Sequence, residues 1–330
     1  MLVNLSERPD FPLIWDSTMR GSFVSCPRKF MYEFLFRLAP RKVSIHLHFG
    51  ACFARGLEDF RKVFYDTNST LDLRERYDAA LAAGIFGVFD EWGEYELEYD
   101  DPTPKTLENC LLAFDAYLQN WNPATDYVKP YQAATGPAVE FTFGLPIPEV
   151  LHPLTGEPLI YAGRFDMLGE YSSMLYVVDE KTTSQLGPKW AGQWPLRAQF
   201  TGYVWAANTF GMDVLGAIVR GTCILKKSFN FGEAILDIAP WQQERWYQQL
   251  VRDLQRAVDA WKAFYFDYDL DSTCNAYGGC VFRHLCESQN PQRWVEDRFV
   301  IRHWNPLAKD PTADPEEADG SETRTIYKNG

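Results

Sequence analysis

The chain has 330 residues, 46% of them apolar, with 45 acidic against 32 basic residues and a formal net charge of −13. That length and apolar content suffice for a large core, as one domain or one domain with a lobe. No uncharged apolar run of about 18 residues is present and the N-terminus lacks a basic-then-apolar signal region, so a soluble, cytoplasmic protein without membrane contact is expected. The charge argues against a general nucleic-acid-coating protein, whose binding rests on Lys and Arg contacts to phosphate, but it does not exclude an enzyme that cuts nucleic acid.

Basic residues gather near the N-terminus at Arg20, Arg28, Lys29, Arg37, Arg41 and Lys42, interleaved with Phe23, Phe30, Tyr32, Phe34 and Phe36. Such a surface can follow a DNA backbone and stack bases. The same spacing also reads as a helix over 27–38 whose aromatics enter the core while its basic side chains are solvated. Core positions are expected for most of the aromatics, and phosphate contact stays open for Arg28 and Lys29. Helices are then expected over 50–64, 71–89 and 106–121, the last preceded by Pro102 and Pro104. A first sheet strand is expected over 138–144, where Glu140 faces either the site or a sheet edge. Strands follow over 159–170, 174–182 and 213–226, and a long amphipathic helix over 241–265. No internal repeat is found. Acidic residues concentrate in 90–101 and 310–322, and the polar, patternless tail from about residue 305 reads as disordered.

Ser172-Ser173 between the second and third strands reads as a two-residue hairpin loop. That loop places Asp166 directly opposite Asp179, with Cβ atoms about 4.5–5.5 Å apart on one face. Strand alternation puts Lys181 on the face of Asp179 and turns the Glu180 side chain away. Like charges directly opposite are destabilising unless something cationic sits between them, and a hard divalent cation with oxygen ligands suits that position. Two carboxylates and a lysine are what metal-dependent cleavage of a phosphodiester needs. The alternative is a solvated face with weak exposed ion pairs.

Seven cysteines in a cytosolic chain are not expected to form a disulfide framework. Cys274, Cys280 and Cys286 are separated by five residues each, with Gly278 and Gly279 to permit sharp turns. Three thiolates at such spacing suit a soft metal, and Cys26 is the best candidate for a fourth ligand, ahead of His284. Iron–sulfur cluster and structural zinc both remain open on spacing alone. Cys52, Cys110 and Cys223 lie among apolar neighbours and read as core residues.

In order, Cys26-Pro-Arg-Lys-Phe, Phe49-Gly50 with Leu57-Glu58, Gly163-Arg-Phe-Asp166, Asp179-Glu-Lys181-Thr, Gln199-x-x-x-Tyr203 and the three C-terminal cysteines resemble the PD-(D/E)XK nuclease superfamily. Within it, the likeness is to RecB-type exonucleases with an iron–sulfur staple, a group that includes AddB, CRISPR-adaptation nucleases and phage-encoded relatives. The resemblance spans residues 22 to about 288. It implies an α/β fold with a restriction-endonuclease-like core: a mixed β-sheet flanked by helices, a helical N-terminal insertion and a C-terminal cysteine cluster. The implied organisation is an N-terminal segment over 1–137, a nuclease core with the C-terminal cluster cysteines over 138–288, and an extension over 289–330.

The resemblance further implies Mg²⁺ or Mn²⁺ held by Asp166, Asp179 and the main-chain carbonyl of Glu180. Lys181 would orient the attacking water and stabilise charge on the scissile phosphate. Gln199 and Tyr203 would share a helix face near the site. Cys26, Cys274, Cys280 and Cys286 would hold the cluster, of [4Fe–4S] type, with structural zinc as the alternative. The implied substrate is DNA, at ends or in single strands, with a helicase or recombination protein as a partner in repair, recombination or phage DNA processing. The chain departs from the family pattern at Ala54, where a metal-site histidine is usual. His48 is off that helix face, and Glu58 lies one turn beyond it. A catalytically weak or inactive iron–sulfur DNA-binding module and a zinc-stapled structural protein are the competing functions.

Overall fold

The computed structural model describes residues 3–95, 103–134, 136–269, 273–308 and 325–327. In chain order its principal elements are α1 (Ser17–Ser25), α2 (Ile45–Phe64), α3 (Leu73–Trp92), α4 (Leu107–Asn120), β1 (Val139–Leu151), β2 (Pro158–Tyr171), β3 (Met174–Thr183), α5 (Ala198–Thr209), β4 (Val214–Ile224), β5 (Phe229–Asp237) and α6 (Pro240–Ala263). Two compact units result, one of residues 43–141 and 165–243, the other of residues 1–42, 142–164 and 244–330.

The first unit carries a mixed sheet. Strand β5 pairs antiparallel with β4, β4 parallel with β3, and β3 antiparallel with β2. The parallel β3–β4 pair requires a crossover, and α5 lies within it. The β2–β3 hairpin has the expected register: Met167 opposes Val178 and Tyr171 opposes Met174. Its turn residues Ser172 and Ser173 both have positive φ, 50° and 64°, the handedness that matches the right-handed twist of the two strands.

Helices α2, α3 and α4 form a separate layer around Phe49, Phe53, Leu57, Phe60, Val88, Cys110 and Phe114. Their starts are fixed by Ser44, Asp72 and Thr106, whose side chains accept backbone N–H groups of the first turn. Asp72 and Glu75 complete a reciprocal capping box. Helix α2 therefore begins at Ile45, five residues before the position expected from apolar spacing. Gly56 and Gly84 meet where α2 crosses α3; a Cβ on Gly84 would lie 2.9 Å from the Gly56 carbonyl oxygen and 2.4 Å from Phe114.

The second unit includes β1 from residue 142, β2 up to residue 164, α1 and most of α6. Ile14–Trp15 pairs parallel with β2, and Thr325–Tyr327 parallel with β1. Trp15 stacks on Phe30 at 4.8 Å, and Tyr161 meets Trp246 edge-on at 5.1 Å. Asp16 caps α1 through the Met19 N–H at 2.7 Å and also accepts from the Trp304 indole. Burial pushes its carboxyl up to about 6.

Three sequence expectations differ from the structure. The helix read over 27–38 is an α-turn at Pro27–Phe30 followed by a π-helix at Met31–Leu35, with a Phe36 N–H bond to the Met31 carbonyl at 2.9 Å. The wider turn lets Met31, Tyr32, Phe34 and Leu35 all be buried, more than one α-helical stripe allows. The aromatics are core residues as expected. Strand β1 continues well past Gly144 through Pro146 and Pro148, and β5 was not read from sequence at all. Of the tail expected to be disordered, residues 309–324 and 328–330 lie outside the described residues.

Candidate active site

The paired part of the β2–β3 ladder ends at Met167–Val178, one position short of Asp166 and Asp179. Freed from ladder bonding, the Asp166 carboxylate turns to the neighbouring strand, where Oδ2 accepts the backbone N–H of Glu180 at 2.9 Å. Asp179 is 1% exposed. Its Oδ1 accepts from Gln199 Nε2 at 3.3 Å, and its Oδ2 lies 2.5 Å from Lys181 Nζ. Apart from that ammonium, Asp179 Oδ2 has no donor among the described residues. Burial, reinforced by the charges of Asp166 and Glu180, outweighs Lys181 and raises the Asp179 carboxyl to about 7.

Gln199 and Tyr203, four apart on α5, share the face presented to Asp179. The Gln199 amide also donates to the Tyr203 hydroxyl at 3.2 Å, and the Tyr203 ring is edge-on to Phe165 at 5.2 Å. Lys181 remains one-third exposed. Burial opposes its charge, but Asp179 and Asp166 together hold its pKa above the ordinary lysine value, against the nearby charge of Arg197. Asp166, Asp179, Lys181, Gln199 and Tyr203 are thus brought together on one side of β3, joined by the Glu180 main chain.

The Glu180 side chain projects to the other side, as alternation requires. There Oε1 accepts from the Tyr117 hydroxyl at 2.6 Å and from Arg61, and Arg61 also donates to Tyr117 at 2.8 Å. Glu180 Oε2 is buried with no hydrogen-bond partner among the described residues. Arg61 and Tyr117 were missed in sequence. The signal for Arg61 was a basic residue among Leu57, Phe60 and Phe64 on the buried side of an amphipathic helix.

Position 54 is an alanine on α2, and its neighbours do not replace a histidine there. The His48 ring stacks on Tyr95 at 4.1 Å and meets Cys52 Sγ at 3.7 Å, and burial lowers its pKa. Glu58 is buried and bonded within its own helix to Arg55 at 3.2 Å and to Lys62. Of the two basic residues considered for phosphate, Arg28 lies 4.3 Å over the Tyr268 ring and Lys29 pairs with Glu33 at 3.7 Å.

None of the seven cysteines is in a disulfide. Cys52, Cys110 and Cys223 are core residues. In the second unit, the Cys280 N–H donates to the Cys274 carbonyl at 3.0 Å. Burial raises the Cys286 thiol to about 11, and the charges of Cys26, Cys280 and Cys274 add to the rise. The same neighbours, Cys26 and Cys274, raise Cys280 after burial. Cys280 and Cys286 thus each feel the charges of Cys26 and Cys274. Among the described residues, however, no group of three or more His, Cys, Asp or Glu side chains is arranged to hold a metal ion. In the acidic site the side-chain donors are two hard carboxylates, one with an oxygen lacking a neutral donor, which suits a divalent cation completed by main chain and water.

No helix among the described residues is long and apolar enough to cross a membrane. No curated protein matches the sequence. A crystal structure of SSO0001 is similar at 13% identity and a TM-score of 0.31, over 77% of this chain and 79% of that one. Residues 21–287 match the PD-(D/E)XK nuclease superfamily. With that match running across most of its length, the chain belongs to the PD-(D/E)XK nuclease superfamily.

Proposed function

We propose that the protein is a metal-dependent DNA nuclease, acting as an exonuclease of the RecB type. The observation that carries this reading is the joint placement of Asp166, Asp179 and Lys181 on a single hairpin, with Gln199 bonded to the buried acid. Asp166, Asp179 and the Glu180 carbonyl would hold Mg²⁺ or Mn²⁺. When bound, such a cation polarises a phosphoryl oxygen and lowers the pKa of a coordinated water. Lys181, partly exposed beside the acids, stabilises negative charge developing on the phosphate. Gln199 holds the Asp179 carboxylate in orientation, and Tyr203 supports Gln199.

The four thiols Cys26, Cys274, Cys280 and Cys286 would carry an iron–sulfur cluster that staples the N-terminal segment to the C-terminal one. Iron content and broad absorbance near about 400 nm separate that assignment from structural zinc. A role beside a helicase or recombination protein at DNA ends, in repair, recombination or phage DNA processing, follows from the same family reading.

The second reading is a DNA-binding module with weak or no catalysis, favoured by Ala54 and by the net charge of −13. The test is incubation of anaerobically purified protein with Mn²⁺ and end-labelled single- or double-stranded DNA. Absence of product from wild type would sink the nuclease reading. Equal product from Asp179→Ala would sink the site assignment.

A further inference from the structure

The middle residue of Asp179-Glu180-Lys181 contributes its main chain to one side of the strand and its side chain to the other. On the first side, the Glu180 N–H is the donor that holds Asp166. On the second, the carboxylate is buried, with side-chain exposure of 3%, between Arg61 of α2 and Tyr117 of α4. Burying a carboxylate is costly, and here one of its two oxygens has no hydrogen-bond partner among the described residues. Replacing Glu180 alone by an apolar residue would leave Arg61 buried without its charge partner, so breaking the pair is costly even where forming it gains little. Set against the desolvation of both charges, the net gain from forming the ion pair is small. What it adds is a fixed direction, because Arg61 and Tyr117 also bond to each other at 2.8 Å and close a three-membered ring of hydrogen bonds.

We propose that Arg61 and Tyr117 are positioning residues of the nuclease centre, acting through the Glu180 side chain to fix the peptide that holds Asp166 and separates Asp179 from Lys181. This inference rests on the nuclease reading for its functional meaning, though not for its geometry. The N–H and C=O of a strand lie in the plane of the sheet, so a side chain clamped on one face limits rotation of the strand about its axis and with it the direction of the Glu180 N–H and C=O. Strand β3 needs such a clamp where it stands, because its ladder with β2 stops at Val178. From Asp179 onward no ladder pairing to β2 holds it: on that side only the Asp166 carboxylate meets the Glu180 N–H, and ladder pairing is to β4, with Glu180 opposite Arg220. Arg220 is itself committed to Asp126 at 2.7 and 2.8 Å and to Glu233 at 2.9 Å, so it does not replace Arg61 as a donor to Glu180.

The role differs from simple stabilisation in what it predicts. Tyr117→Phe removes one O–H and leaves the ring in place. The double variant Arg61→Met with Glu180→Gln removes both charges and remains the safer test should a single change at Arg61 fail to fold. Hydrogen exchange of the metal-free full-length protein is read at the Glu180 amide and at amides of β4. Both variants are expected to lose about tenfold or more of the protection at Glu180, while β4 amides stay within about twofold of wild type. Mn²⁺ affinity, read from the paramagnetic resonance of free Mn²⁺, is expected to weaken about tenfold. Wild-type protection at Glu180 in both variants, or a uniform loss across the sheet, would overturn the proposal. Absence of DNA cleavage by wild type would overturn the nuclease reading and leave the exchange result to decide the positioning role.

Discussion

The Lys181 ammonium lies 2.5 Å from an Asp179 carboxylate that is almost wholly buried, while the lysine itself keeps a third of its surface in solvent. The acid is the strained partner. Its carboxyl is raised to about 7, chiefly by burial, so the folded state binds a proton there that the unfolded chain has lost above the ordinary carboxylate range. Stability from this group is therefore greatest at acidic pH and falls as pH rises toward and through about 7. Metal-free Asp179→Asn is expected to melt several degrees above wild type at pH 8, the gap closing by about pH 4. Melting curves across that range check it, and a gap independent of pH would refute it.

Lys181→Met removes the cation that faces the developing phosphate charge. It is expected to lower kcat by about 10²–10³-fold. DNA affinity measured with Ca²⁺ in place of Mg²⁺ is expected to change little, because one partly exposed charge is lost.

Gln199→Ala leaves Asp179 Oδ1 without its amide donor, so the acid keeps its charge partner but loses its orientation. A fall of about 10-fold in kcat is expected. Tyr203→Phe is expected to cost less, since its hydroxyl bonds the Gln199 amide and the Gln199–Asp179 bond stays in place. Steady-state kinetics with end-labelled DNA rank the two, and the reverse order would count against the arrangement.

Gly84→Ala acts on the fold alone. Its Cβ would meet Phe114 at 2.4 Å and the Gly56 carbonyl oxygen at 2.9 Å, neither of which yields without moving a helix. Destabilisation of about 1–3 kcal/mol is expected from chemical denaturation, with kcat per folded molecule unchanged.

Cys274→Ser, Cys280→Ser and Cys286→Ser are each expected to lower bound iron in anaerobically purified protein. Cys223→Ser, in the core of the other unit, should leave iron content as in wild type. Equal metal loss from Cys223→Ser would remove the assignment of the four named thiols.

The hairpin was legible because everything it needs is local: two apolar strands of period two, a two-residue turn, and acids whose spacing puts them opposite. Helices α3 and α4 were legible in the same way, whereas apolar spacing set the start of α2 at residue 50 and the structure begins it at Ile45, behind its cap Ser44. The clamp behind Glu180 was not legible. Its members are 56 and 63 residues apart in chain position, and nothing near Tyr117 signals a polar partner among Phe114, Leu118 and Trp121. The π-helical turn at Met31–Leu35 escaped for a related reason, because burial on several sides leaves no single periodic stripe to read. Strand β5 is broken in pattern by Gly232 and Glu233, and the charge of Glu233 makes sense only once Arg220 is beside it.

The two serines at the tip of the hairpin have a reach well beyond their own turn. Both sit in backbone conformations that serine seldom adopts, and they set the count of residues between Asp166 and Asp179. A slip of β3 by one residue in its pairing would leave every acid, lysine and glutamine in the polypeptide, yet exchange the two sides of the strand. Glu180 would then face Gln199, and Asp179 and Lys181 would face the aromatic helices. The active centre of this protein is accordingly a matter of phase as well as of composition, and a motif intact in letters can be lost by a single step of register.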